Sequence, residues 1–138
     1  TSGRRRLVEV LVDAGRPLTA AEVLVEGDLA QSSAYRNLAV LEAFVAGHDW
    51  IHFLADEPAQ RSNTSVCLTL DLPADKVKAM VGLLGREGVA HDIGAYRDAP
   101  AGLRIWCGAT VEASDVALLT QWIDWAFAET KAALPKAA

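Results

Sequence analysis

Residues able to carry chemistry are few in this 138-residue chain, and most of them exclude a function. His48, His52 and His91 stand apart from Cys67 and Cys107, with none of the short repeated spacings that hold a metal ion. His48 and His52 are four apart, which aligns two side chains only on a helix, and Gly47 and the aromatic run Trp50–Leu54 speak against one there. Both cysteines fall in stretches that read as core strands, where a buried thiol is inert. Gly82, Gly85, Gly88 and Gly94 form no phosphate-loop motif. The four tryptophans read as core and contact surface rather than a ligand cage. What remains is arginine, whose chemistry is anion recognition. Arg97 and Arg104, with Tyr96 beside the first, also read as ordinary surface or salt-bridging residues, and spacing alone does not separate the two roles.

Composition bounds the rest. Hydrophobic residues make up 51% and charged residues 22%, enough for a packed core and against disorder. The length suits one ordinary domain or two very small ones. No apolar run reaches the roughly 18 residues of a membrane span. No signal peptide precedes the first helix, so a cytoplasmic setting is expected. The net charge is −5, and neither half of the chain has the broad basic field of a strong nucleic-acid binder. Only the Arg4–Arg6 cluster gives local positive potential.

The elements that must position these side chains follow from periodicity. Helices are expected from Arg4 to Ala14, with Ser2 as cap and Gly15 and Pro17 as stop, and from Thr19 to Gly27, where Thr19–Glu22 fits a capping box. A third is expected from a Ser32 or Ser33 cap to Gly47. Ala34, Leu38, Leu41 and Val45 form its apolar face, and Ser33, Arg36, Asn37 and Val40 the opposite one. Three helices with short connections make a helix-turn-helix-like unit. Beyond Gly47, Trp50–Leu54 is short and β-prone, Val66–Leu70 is a core strand, and Ala74–Glu87 is a helix facing inward through Val77, Met80, Val81 and Leu84. Val89–Ile93 and Leu103–Cys107 are expected as strands around a loop from Gly94 to Gly102. Ser114 caps a last helix that buries Val116, Leu119, Trp122, Ile123, Ala126 and Phe127. Trp122 and Trp125 lie on its adjacent arcs, so one of them marks a contact face. The expected class is α/β (α+β): a helical segment over residues 1–46, then a βαββα two-layer sandwich over 47–138.

Arg4–Leu11, Arg16–Glu22 and Ser32–Glu42, with its Ser-Ser-x-Tyr-Arg-Asn-Leu-x-x-Leu pattern, resemble the winged-helix DNA-binding domain of the ferric uptake regulator family over about residues 1–43. The resemblance implies a recognition helix presenting Ser32, Ser33, Tyr35, Arg36 and Asn37 to the major groove and its phosphates. On spacing alone, Tyr35 and Arg36 instead cover the helix surface and pair with glutamates. The family's wing and metal-binding dimerisation domain do not follow here. Metal sensing is therefore not implied, and DNA binding would be weak.

From about Asn37 onward the chain resembles the C-terminal end of phosphoserine aminotransferases, enzymes of serine biosynthesis. The segments that carry this are Asp49–Ala55, Arg61–Leu68, Gly88–Thr110 and Trp122–Phe127, and the resemblance covers roughly two-thirds of the chain. It implies the small domain of a fold-type I aminotransferase. It assigns Arg104 to the substrate α-carboxylate, both of whose oxygens a guanidinium can take, and Arg97, with Tyr96 beside it, to the substrate phosphate. The full-length family uses pyridoxal phosphate, held by a large domain that supplies the Schiff-base lysine. Lys76, Lys78, Lys131 and Lys136 are not in a context resembling that lysine, so neither a cofactor nor a catalytic residue is expected in this chain.

The sequence thus reads as a composite: a partial winged-helix segment joined to a non-catalytic aminotransferase-like small domain. A phosphorylated amino acid or another anion is the expected ligand, no membrane partner is expected, and an oligomer is left open. Two alternatives stand beside this: a DNA-binding transcriptional regulator, and a chimeric or designed scaffold without activity.

Overall fold

The computed structural model describes residues 2–16 and 29–133. Four helices are described, α1 (Ser2–Asp13), α2 (Leu29–Ala46), α3 (Ala74–Arg86) and α4 (Ala113–Ala132). The strands are β1 (Ile51–Phe53), β2 (Ser65–Leu70) and β3 (Gly102–Trp106), and a 3-10 turn occupies Pro58–Gln60. The strands form one antiparallel sheet in the order β1-β2-β3. The class is mixed α/β, as expected. The helix expected over Thr19–Gly27 lies outside the described residues.

Strict alternation in β2 decides which way the sheet faces. Val66, Leu68 and Leu70 are buried, whereas Ser65, Cys67 and Thr69 are only half-buried. Register then extends the apolar face. Ile51 lies opposite Leu70, Leu103 opposite Leu68, and Ile105 opposite Val66. Val77, Met80 and Leu84 of α3 pack into one core with this face, together with Val116, Ile123, Ala126 and Phe127 of α4. Leu38 and Leu41 of α2 belong to the same core, so this helix, assigned from the sequence to the N-terminal segment, is packed with the sheet. His52, Ser65, Cys67, Thr69, Arg104 and Trp106 alternate onto the opposite face and are half-buried or exposed.

The turn between α2 and β1 is locked by aromatics. Trp50 stacks on Phe127 at 3.7 Å and 9°. His48 donates its Nδ1–H to the Phe44 carbonyl at 2.7 Å, and its Nε2 lies 3.6 Å from Asp124 of α4. His52, by contrast, is exposed and meets Asp71 at 3.1 Å.

Several expectations are corrected. Helix α2 begins at Leu29, so Ser32 and Ser33 are helix-body residues and not caps. Helix α4 begins after Glu112 without a side-chain cap, and Ser114 sits inside its first turn. Val89–Ile93 is not a strand. Helix α3 ends on Gly88, at φ +72°, and the Val89 and Ala90 amides both return to the Leu84 carbonyl, at 3.0 and 3.4 Å. Those donors are spent on the helix end, and only Gly94 reaches a bridge to Leu103. Trp122 is not buried: it is 40% exposed and Trp125 37%. Among the described residues, no helix is long and apolar enough to cross a membrane.

Candidate functional site

The open face of the sheet is where chemistry collects. Arg104 stands in the middle of β3, opposite Cys67 in register. Its Nη2 donates to Asp92 Oδ2 at 2.8 Å, and its guanidinium lies over the Tyr96 ring, 4.7 Å from the centroid. The Tyr96 hydroxyl in turn meets Ser65 Oγ at 3.1 Å, which ties the loop to β2. Arg104 Nε is buried and has no acceptor. The hydrogen bond to Asp92, then Tyr96, raises the Arg104 pKa above its ordinary value, so the cation is permanent. Asp92 is 88% exposed and free to swing out into water. The arrangement is a guanidinium already holding one carboxylate, with one buried N–H left without an acceptor.

The backbone explains how the site forms. The Arg104 amide donates to the Ile93 carbonyl at 2.8 Å, and the Ala95 amide to Gly102 at 3.2 Å. These two bonds fold the segment carrying Asp92 and Tyr96 back along β3. Gly102 makes close strand contact possible, because a Cβ there would collide with the Leu68 carbonyl.

Arg97 is placed differently. It is exposed and lines a cleft of about 630 Å³ between α3 and the Gly94–Gly102 loop, with Lys78 across from it and Tyr96 shared. Arg104 does not line that cleft. The structure therefore brings Tyr96 and Arg104 together, while Arg97 lines a cleft that Tyr96 shares and Arg104 does not. Ser65 and Asp92 escaped the sequence reading. Ser65 reaches Tyr96 only through sheet register, and Asp92 reaches Arg104 only through the short bridge at Gly94.

The residues expected to face DNA do not form one presented surface. Tyr35 is 57% exposed and Arg36 is exposed, but Ser33 is half-buried; Ser32 is described only as part of α2. Asn37 is 1% exposed, and its Nδ2 donates to the Cys107 and Val111 carbonyls, each at 3.0 Å, with Gly108 more distant at 3.5 Å. Three carbonyls around that atom fix it as the nitrogen. Asn37 is a framework residue that holds α2 to the loop after β3.

The remaining candidates are structural. Cys107 is buried, and burial pushes its thiol pKa up to about 11. Arg61 donates to the Ala55 and Asp56 carbonyls, lies over the Phe53 ring at 4.0 Å and pairs with Glu42 at 3.4 Å, so it staples the β1–β2 connection. Among the described residues no group of three potential metal ligands occurs.

Pyridoxal phosphate needs a lysine for its Schiff base. The described lysines are Lys76, half-buried, and Lys78, exposed, on α3, and Lys131, exposed, on α4 and 5.6 Å from the Phe127 ring; of these, Lys78 lines the Arg97 cleft.

Comparison with known proteins agrees with the C-terminal part of this architecture. No family model matches the chain. The chain is 58% identical over 91 residues to the phosphoserine aminotransferase of Methanosarcina mazei and 59% identical over 91 residues to that of Methanosarcina barkeri, in each case 66% of this chain. It resembles in fold a phosphoserine aminotransferase from Bacillus circulans subsp. alkalophilus, at TM-score 0.64, 15% identity and 79% coverage of this chain against 28% of that one. A phosphoserine aminotransferase studied for radiation damage of its Schiff base gives TM-score 0.61 and 12% identity over 71% of this chain and 27% of that one. None of these supports the winged-helix resemblance of the N-terminal segment. The chain spans 25% of the length of the curated relatives it matches, and over 91 of its residues it is phosphoserine-aminotransferase-like.

Proposed function

We propose that this chain is the small, substrate-facing part of a phosphoserine aminotransferase, and that on its own it binds the amino-acid end of phosphoserine without transaminating it. The observation that carries this reading is the Arg104 guanidinium. It is held by Tyr96 and Asp92 on an otherwise open sheet face, with Nε buried and lacking an acceptor. The Asp92 carboxylate, which accepts from Arg104 Nη2, shows that this guanidinium can take a carboxylate, and its exposure lets it yield to one from a substrate. Tyr96, pinned by Ser65, keeps the guanidinium plane fixed, which lowers the ordering cost of binding. Arg97 serves the phosphate end from the neighbouring cleft, approached around Tyr96.

The test is a titration of the intact chain with O-phosphoserine, followed by two-dimensional NMR. Shifts should gather at Ser65, Tyr96, Arg97 and Arg104. Arg104→Ala should weaken binding by about tenfold or more, the worth of a charge-assisted bidentate contact. Asp92→Asn should tighten it by removing the internal competitor. Absence of any response at Arg104 and Tyr96, with the variant and wild type alike, would refute the assignment.

A further inference from the structure

Trp122 and Trp125 project from the outer side of α4, and they do not pack as a simple apolar patch. Their rings meet edge to face, with centroids 5.4 Å apart and planes at 88°. Two perpendicular indoles make the two walls of a corner. That corner opens into a cleft of about 480 Å³ whose remaining lining is Glu87 and Gln121. Glu87 is the C-terminal flanking residue of α3, so its carboxylate stands at the negative end of a helix. The nearest basic side chain in sequence, Arg86, extends back along α3, its guanidinium beside Gly82, and does not line the cleft. Aromatic rings, a carboxylate and a helix C-terminus all favour positive charge, and no cation of the lining supplies it.

We propose that this corner is a binding site for an alkylammonium group, a compact organic cation with an apolar shell, seated against the indole faces and balanced by Glu87. The apolar shell suits the rings, and the spread charge suits their quadrupoles better than a strongly hydrated metal ion would. An ordinary ammonium keeps more of its water and would bind less well. The site lies on α4 and α3, whereas the arginine site lies on the open face of the sheet, so the two are independent and can be tested separately.

Choline chloride serves as the probe, with its neutral carbon isostere dimethylbutanol and matched sodium chloride as comparators, and the four tryptophan indole N–H signals of the intact chain as readout. Choline should move the Trp122 and Trp125 signals saturably. Trp50, stacked on Phe127, should stay in place. The neutral isostere should bind about fivefold more weakly, the ratio expected of a partly exposed cation–π contact. Glu87→Gln, a surface change that leaves both rings in place, should weaken choline by a similar factor, and Trp125→Ala should abolish saturation. Equal binding of the neutral isostere would make the corner an apolar patch only and overturn the proposal. So would the absence of a saturable shift, or indole shifts that follow protein concentration alone, which would mean that two copies meet through this face.

Discussion

Replacing Asn37 tests the packing of α2 most directly. Its amide donates two bonds of 3.0 Å to the Cys107 and Val111 carbonyls, in a place almost closed to water. Asn37→Ala leaves both carbonyls short of a buried partner, at about 2 kcal/mol each. Some of this is returned, because Asn37 Oδ1 is itself buried without a partner, and deleting it removes a penalty of about 1 kcal/mol. The net loss should be about 3 kcal/mol, a large part of the roughly 5–15 kcal/mol that holds an ordinary domain together. In thermal unfolding that corresponds to a fall of about 12 °C for a chain of this size. Asn37→Asp sharpens the test. It keeps the shape but turns an oxygen toward the carbonyls, so at neutral pH it should be worse than alanine. Its folded-state pKa would be raised, since only the protonated acid can donate there. The added penalty should therefore shrink as pH falls from neutral and be gone by about pH 4, where the unfolded carboxyl is protonated too. Chemical and thermal denaturation of the three proteins across pH decide it. An Asn37→Ala variant within about 0.5 kcal/mol of wild type would refute the reasoning and return Asn37 to the surface role its neighbours suggested.

Two further outcomes follow from the strands. Gly102→Ala should destabilise by about 2–3 kcal/mol, because the new Cβ falls on the Leu68 carbonyl and β2 and β3 must separate; a melting temperature unchanged from wild type would contradict the close approach. Cys107 should make stability fall in mild alkali. Its folded-state pKa is raised to about 11, so the stability present below the unfolded thiol pKa, about 8.5, is lost as pH rises to the folded value. The loss should amount to at most about 3 kcal/mol, and comparing wild type with Cys107→Ala between those limits isolates it from other groups titrating there.

Much of the sheet half was legible because its signals are local. The alternation of Val66, Leu68 and Leu70 and the helical spacing of Val77, Met80 and Leu84 each identify an element and its inner face. Asn37 shows where polarity misleads. It lies three residues after Ala34 and four before Leu41, squarely on the buried stripe, yet its amide drew it to the opposite face in the sequence reading. Val89–Ile93 has strand composition, but its first amides are consumed by the end of α3, a competition invisible to propensity. At the site, Arg104 and Tyr96 could be named through resemblance. Asp92 and Ser65 could not, since both arrive by long-range pairing. Their positions depend on register rather than on any pattern within seven residues of either one.

The sheet's two borders have a consequence for how the chain meets copies of itself. Along β1 the outer backbone runs for only three residues, with the hydrogen-bonded His52–Asp71 pair standing beside it. Along β3 the outer backbone is already engaged by the Ile93 carbonyl and the Ala95 amide. A neighbouring strand looking for a template would find one border too short and the other occupied. Growth by strand addition, the usual route from a small exposed sheet to fibrils, is hindered on both sides, and on the β3 side by the same segment that builds the arginine site.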